Sequence, residues 1–592
     1  MALVDWLVVL CYLLITVVIG VYLSRRASRS VEDFFVSGRS LPWWLAGTSM
    51  AATTFSVDTP LYIAGVVGSR GIAGNWEWWA FGVGHVVLIY IFARLWRRSE
   101  IVTDAELIEL RYGGRPASIL RAFKAFLFAV PINCIAIGYI MLATVKVVGT
   151  LGIWDGLGIL EGDTVLGMDP KLLSVIGVSA LVLLYTSFSG LWGVVITDFF
   201  QFFLALFGAI LVAYFAVSSP EIGGLTNLIA GAQENTAFDV LAFVPLTFDA
   251  DTLLGIGWST FAGISASTFG AYVFLQWWTF RRSDGGGEFI QRLAAAKDED
   301  EAVKAAWLFN VMHYVVRTWP WILVALAALV LYPDLEDKEL GYPMLMLDFL
   351  PVGLLGLVVA SLFAAFMSTV STNINWGASY IVNDLYNRFI NPEATQAELI
   401  RVGRLASVVI TAFGALAALY AESVGQVFRL VIAIGTGPGV VLILRWFWWR
   451  INAWAELSAM LAGFSIGLFT TLVPEFTIAD FGLRLFVIVG ITTVIWVTVM
   501  YATRPEEDAV LLKFYEKVRP AGPGWQHISK RAQVEIEQAL GKDLLRVLGA
   551  TMLLFGVMFG VGGALLLKTG VAIVMFLIAL AGGLLLRRLR WM

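Results

Sequence analysis

The sequence predicts an all-helical membrane protein that crosses the bilayer many times, and three observations lead there. Hydrophobic residues make up 59% of the 592 and charged residues only 14%, against about 45–50% and about 25% in a soluble globular chain. The apolar residues gather in runs of about 20 or more, the length that a hydrocarbon core about 30 Å thick demands of a helix. The polar segments between them are short; the largest, 503–543, cannot hold a nucleotide-hydrolysing domain.

About fifteen such runs are present: 2–23, 42–67, 75–96, 118–148, 170–188, 191–217, 252–279, 309–331, 351–380, 400–421, 424–446, 453–473, 480–502, 544–567 and 570–587. The first lacks a basic leader, is longer than a signal-peptide core and is followed by Arg25 and Arg26, so it reads as a span. Basic residues orient the chain. With the N-terminus outside, the external segments hold only Arg70, Lys171, Lys338 and Lys568, while most of the 40 Lys and Arg lie inside. N-out and C-in requires an odd number of crossings, in agreement with the run count. The layout is a leading helix and loop (1–41), a block of five spans (42–217), a second block of five (252–446), two accessory spans (447–502), a cytoplasmic segment (503–543) and two terminal spans (544–592).

Composition excludes several functions. A net charge of −4 gives no footing for nucleic acid. Cys11 and Cys134 both lie in apolar runs and build neither a disulfide framework nor a thiolate metal site. No GxxxxGK[ST] loop occurs, so an ion gradient is the expected energy source.

Break signals interrupt three runs: ATTFSVDTP at 52–60, GIGWSTFAGISASTFGAY at 255–272 and GTGPG at 435–439. Each, taken singly, reads equally as a packing kink. Irregular backbone at membrane depth is tolerated where it lines a cavity or is buried in protein. The first two breaks open the two five-span blocks, and those blocks have opposite topologies. Paired broken helices in inverted halves point to a secondary transporter with its site near the midplane.

In the ninth run, Ala365, Ser368 and Thr369 stand at i, i+3 and i+4, on one helix face. One turn later Ser368, Ser371 and Thr372 repeat the spacing. Hard cations such as Na⁺ take hydroxyl, carboxylate and carbonyl oxygens; the same hydroxyls also bond back to i−4 carbonyls or pack between helices. Asp198 is an intramembrane carboxylate, which marks a functional site unless it snorkels or caps near the membrane face.

At these residues the chain resembles the sodium:solute symporter family, which includes sugar, proline and sialic acid carriers. The resemblance covers about residues 1–523 and is carried by DFFVSGRSLPWWLAGTSMAATTFSVDTPLYIAG, TDAELIELRYG, TDFFQ, QRLAAAKDEDEA and LFAAFMSTVSTNIN. It implies a five-plus-five inverted-repeat fold of the leucine-transporter type with one leading helix and about four extra helices at the end. It also implies Na⁺-coupled symport of a small solute in the cell (plasma or inner) membrane. The family's principal Na⁺ site matches Ala52, Phe55, Ala365, Ser368 and Thr369 here. A second Na⁺ site of some members matches Asp198, Ser368, Ser371 and Thr372, so one or two coupling ions are expected.

The solute is less sharply specified. Glu77 before Trp78 matches a sugar-carrier glutamate; the sugar carriers' Lys falls at His313, their Gln at Thr59 and their Asn at Phe274. Thr54, Asp58, Thr59, Glu77, Trp277 and His313 are therefore the expected solute contacts. Glu77 reads equally as an interfacial residue, His313 as a packing residue and Trp277 as part of an aromatic belt. A sugar or other hydroxylated solute is favoured, with an amino acid, osmolyte or carboxylate as the alternative. A transceptor, a channel or facilitator and a haem protein are the rival classes. A channel lacks repeated filter elements, and a haem protein finds only His85 and His313 as intramembrane ligands, in distant spans.

Overall fold

Among the described residues, most of the apolar runs are helical. The computed structural model describes residues 1–27, 39–101, 103–156, 158–159, 163–165, 167–186, 191–248, 256–259, 263–532, 534 and 539–590. The leading helix is α1 (Leu3–Ala27), and the first block holds α2 (Trp43–Thr53), α3 (Asp58–Arg70), α4 (Ile72–Ser99), α5 (Gly114–Thr150), α6 (Pro170–Thr186) and α7 (Leu191–Val217). A second series follows: α8 (266–279), α9 (Glu288–Ala295), α10 (Glu299–Leu331), α11 (Leu354–Ile390), α12 (Gln396–Tyr420), α13 (Val424–Gly435) and α14 (Gly439–Phe447). Four further long helices follow, α15 (Ala453–Leu472), α16 (Phe481–Ala502), α17 (Leu540–Leu565) and α18 (Thr569–Arg588). Ten helices among the described residues are long and apolar enough to cross a membrane.

One expected span is corrected. The run 252–279 is not helical throughout: α8 starts at Ala266, where Ser265 caps it by accepting the Thr268 N–H. Ahead of it an antiparallel hairpin pairs β1 (Leu246–Phe248) with β2 (Ile256–Trp258). Glycine carries a large entropic cost in a helix, and Ser and Thr offer the backbone competing hydrogen bonds, so this Gly/Ser/Thr-rich stretch delays the helix. Gly255 lies outside the described residues.

The third break is confirmed and has a use. Between α13 and α14, Gly437 adopts φ +115°, a conformation that favours glycine. The opened backbone accepts the strand-like end of α8: Arg281 N–H donates to Gly435 O (2.8 Å) and Gly437 N–H to Thr279 O (2.9 Å). Several helices also contain a π-helical turn. In α5 that turn holds Pro131, whose missing N–H the wider turn accommodates. In α10 it spans Val311–Val316 and carries His313.

The packing sets the site between the two blocks. α2 packs on α7 and α10, α7 on α11, and α11 on α2. α17 pairs with α18 and lies against α4 and α10.

Candidate functional site

The gap between α2 and α3 is made by local chemistry. Thr53 donates its hydroxyl to the Met50 carbonyl at 3.0 Å, and the Thr54 hydroxyl lies 3.0 Å from the Ala51 carbonyl; such back-bonding competes with continuation of the helix. Phe55 N–H reaches only Ala52 O (3.2 Å). On the far side Ser56 N–H donates to Thr59 Oγ1 at 3.2 Å and Thr59 N–H to Ser56 O at 3.1 Å, a reciprocal cap that starts α3. Pro60 sits in the first turn, where its missing N–H has no intrahelical partner to lose.

α11 faces this gap. Thr369 donates its hydroxyl to the freed Phe55 carbonyl at 2.8 Å. Ala52 and Ala365 are buried on the two facing helices. Ser368 turns instead to α7, donating to Asp198 Oδ1 at 2.5 Å, while Ser49 of α2 donates to Oδ2 at 2.5 Å. Asp198 is wholly buried, so it neither snorkels nor caps a helix at the membrane face. Ser371 donates to the Ser368 carbonyl at 3.1 Å.

A residue that the sequence reading did not include joins this second group. Arg292 of α9, also wholly buried, donates from Nη2 to Thr372 Oγ1 at 2.9 Å and from Nε to Ser49 Oγ at 3.2 Å. Its Nη2 stands 3.6 Å from Asp198 Oδ2. Two of the four residues expected to hold a second Na⁺, Asp198 and Thr372, thus adjoin a guanidinium, and Ser368 joins them through its bond to Asp198.

Arg317 of α10 grips the other side of the gap. It is 1% exposed, so it does not snorkel to the interface. Its Nη1 donates to Ala51 O at 2.6 Å, and its Nη2 to Thr54 O and Thr54 Oγ1, both at 2.8 Å. His313, one turn earlier, adjoins this guanidinium and lies 3.1 Å from Thr54 Oγ1. The carbonyls of the break are therefore divided. Those of Ala51 and Thr54 serve a fixed cation from α10, and that of Phe55 turns to the hydroxyl face of α11.

Beside the break lies a cavity of about 200 Å³. Thr54, Asp58, Thr59, Trp277 and His313 all line it, together with Asn373 and several aromatic rings. Tyr62 and Phe428, with ring centroids 4.8 Å apart, form part of its wall, and Tyr62 also borders a second cavity among Arg70, Glu339 and Arg429. Glu77 is not among the lining residues. It is wholly buried, and its carboxylate is bound by Arg70 at 2.5 Å, Arg429 at 3.0 Å and the Tyr272 hydroxyl at 2.7 Å. Phe274 is 72% exposed and directs nothing into the site. Trp277 donates its indole N–H back to Val273 O at 3.1 Å, leaving its ring for the cavity.

An interrupted helix, an oxygen-bearing helix across from it and a polar cavity alongside define a membrane carrier, and no catalytic constellation accompanies them among the described residues. The chain belongs to the sodium:solute symporter family, whose model matches residues 34–463. It is 28% identical over 497 residues to a sodium/glucose cotransporter of Vibrio parahaemolyticus, spanning 80% of this chain and 86% of the relative. It is 27% identical over 503 residues to a sodium/mannose cotransporter of Bos taurus, spanning 80% and 79%. The fold is similar to that of a Na⁺-coupled sialic acid symporter solved in a substrate-bound outward-open state, with a TM-score of 0.65 at 20% identity over 86% of this chain and 99% of that one.

Proposed function

We propose that this chain carries a small organic solute across the cell membrane together with Na⁺, by alternating access, with its N-terminus outside, its C-terminus inside and about fifteen crossings. Na⁺ binds the carbonyl oxygens of Ala52, Phe55 and Ala365 and the hydroxyls of Ser368 and Thr369. The observation that carries this reading is the Thr369–Phe55 contact at 2.8 Å, which brings a hydroxyl and a freed carbonyl together beside a solute-sized cavity. A hard cation takes such oxygens and would join α2 to α11. Solute then fills the cavity, the aromatic wall closes, and one block rocks against the other. Each Na⁺ moving down 100 mV contributes about 2.3 kcal/mol.

The favoured solute is a sugar or another hydroxylated molecule. The sugar cotransporters among the relatives support it, as do the hydroxyls of Thr54 and Thr59, the carboxylate of Asp58, the imidazole of His313 and the ring of Trp277 along one cavity. A second reading, a zwitterionic amino acid or osmolyte, is favoured by one observation. The Glu77 carboxylate expected to read sugar hydroxyls is engaged by Arg70 and Arg429, whereas Asp58 remains at the cavity with rings able to cage an ammonium group.

The test is thermal shift of the purified protein against sugars, amino acids, osmolytes and carboxylates, each in NaCl and in choline chloride. A ligand of the folded state stabilises it by mass action. A hit seen only with Na⁺ supports coupling and names the solute class; no response to Na⁺ at any concentration overturns the reading.

A further inference from the structure

The oxygens of Asp198, Ser368, Ser371 and Thr372 lie where a second coupling ion is expected, yet the positive charge among them belongs to the protein. Both carboxylate oxygens of Asp198 already accept short hydrogen bonds, from Ser368 and Ser49. Thr372 accepts from Arg292 Nη2, Ser49 accepts from Arg292 Nε, and the guanidinium stands 3.6 Å from the carboxylate. Asp198, Arg292, Ser49, Ser368, Ser371 and Thr372 are each no more than 2% exposed.

We infer that Arg292 is the resident cation of the Asp198 site and that it excludes a second Na⁺, so that the carrier binds one Na⁺ per cycle. The inference rests on the Na⁺-symport reading and refines its stoichiometry.

The physical argument is charge balance at depth. A buried carboxylate without a partner is costly in a membrane interior, and an ion that enters and leaves in each cycle would expose Asp198 to that cost whenever it is absent. A tethered guanidinium removes the cost permanently. It also ties α9 to α2, α7 and α11, because Ser49, Asp198 and Thr372 come from those helices. A Na⁺ placed against Asp198 would stand within a few ångströms of the guanidinium, where like charges in a low-dielectric interior repel strongly. The Phe55–Thr369 position is different: its carbonyl is contacted by a neutral hydroxyl, while the nearby cation, Arg317, bonds the Ala51 and Thr54 carbonyls.

The experiment counts ²²Na⁺ bound per purified protein at saturation, for the wild type, Arg292→Gln, Asp198→Asn and the double variant Asp198→Asn/Arg292→Gln. One Na⁺ on the wild type, two on Arg292→Gln and one on the double variant are expected. Two on the wild type falling to one on Asp198→Asn would overturn the inference and leave the symport reading intact. One Na⁺ on Arg292→Gln would overturn the exclusion by Arg292. If Arg292→Gln does not fold, the wild type and Asp198→Asn decide: one on each supports the inference, two falling to one overturns it. No bound Na⁺ on the wild type would overturn the symport reading itself.

Discussion

Thr369 bonds the Phe55 carbonyl across the gap between α2 and α3, at 2.8 Å. This couples the side-chain chemistry of one block to the backbone chemistry of the other. Losing the hydroxyl strands a buried carbonyl, at a cost of about 1–3 kcal/mol. In the Na⁺-bound state the same change removes a ligand. Thr369→Ala should therefore raise the Na⁺ concentration for half-maximal response by about tenfold or more, since each 1.4 kcal/mol is about a factor of ten. Thr369→Ser should restore most of it. A Na⁺ titration of thermal stability checks this, and an unchanged midpoint in Thr369→Ala would sink the assignment.

Arg317 should prove to be a positioning residue for the same ion. Its guanidinium spans the Ala51 and Thr54 carbonyls, a geometry that a lysine ammonium does not reproduce. Arg317→Lys should lower the melting temperature and weaken Na⁺ binding, and Arg317→Gln should do so more severely, as it removes the charge as well. Because Arg317 bonds other carbonyls than Phe55, the loss should appear in Na⁺ affinity and in stability together. Loss of stability with Na⁺ affinity unchanged would limit it to a structural role.

Glu77 discriminates between the two solute readings. Its carboxylate joins Arg70 at the end of α3, Tyr272 in α8 and Arg429 in α13. Breaking a buried ion pair costs about 3–5 kcal/mol; here the loss should fall below that range, because the side chains of Arg70 and Arg429 are 14% and 34% exposed and reach solvent. Glu77→Gln should change turnover while leaving KM for the solute within about threefold, the pattern of a residue that does not contact the solute. A KM raised more than about tenfold at unchanged turnover would return Glu77 to the solute site.

Much of this architecture was legible in apolar run length, because bilayer thickness sets helix length directly. The first break was legible at Thr53–Pro60, where side chains that compete with the backbone precede a proline. The interruption at 255–272 was legible too, but not the start of α8 at Ala266, because the pairing of β1 with β2 ahead of it is not written in any single run. Within the site, the oxygen-bearing face of α11 followed from spacing, as did the intramembrane status of Asp198. The two arginines that complete these groups did not follow. Arg292 meets Ser49 across 243 residues and Arg317 meets Thr54 across 263, and no periodicity reports such a pairing. Arg317 is a charge inside the eighth apolar run, 309–331, and the run alone does not say which carbonyls it meets. Arg292 lies in a motif outside any expected span.

The last hairpin yields a prediction that does not involve the ion. α17 backs onto the cavity lining through Tyr314, whose ring lies 6.4 Å from Phe555; Phe555 also stacks on Trp76 at 5.9 Å, and Trp319 of α10 donates its indole N–H to Met558 O at 2.8 Å. A Cβ on Gly562 would overlap the Trp319 ring, so this close approach admits only glycine. Overpacking a buried contact costs about 1–3 kcal/mol, occasionally more, and here the obstacle is a rigid ring that is itself buried. Gly562→Leu should therefore lower the melting temperature in detergent and reduce the yield of folded protein, with Gly562→Ala intermediate. Val574→Ala, on the 52% exposed face of α18, should stay within about 0.5 kcal/mol of the parent. If α17 were an appendage, all three variants would melt together. A graded loss confined to the Gly562 variants would make the hairpin an integral part of the helix packing around α10.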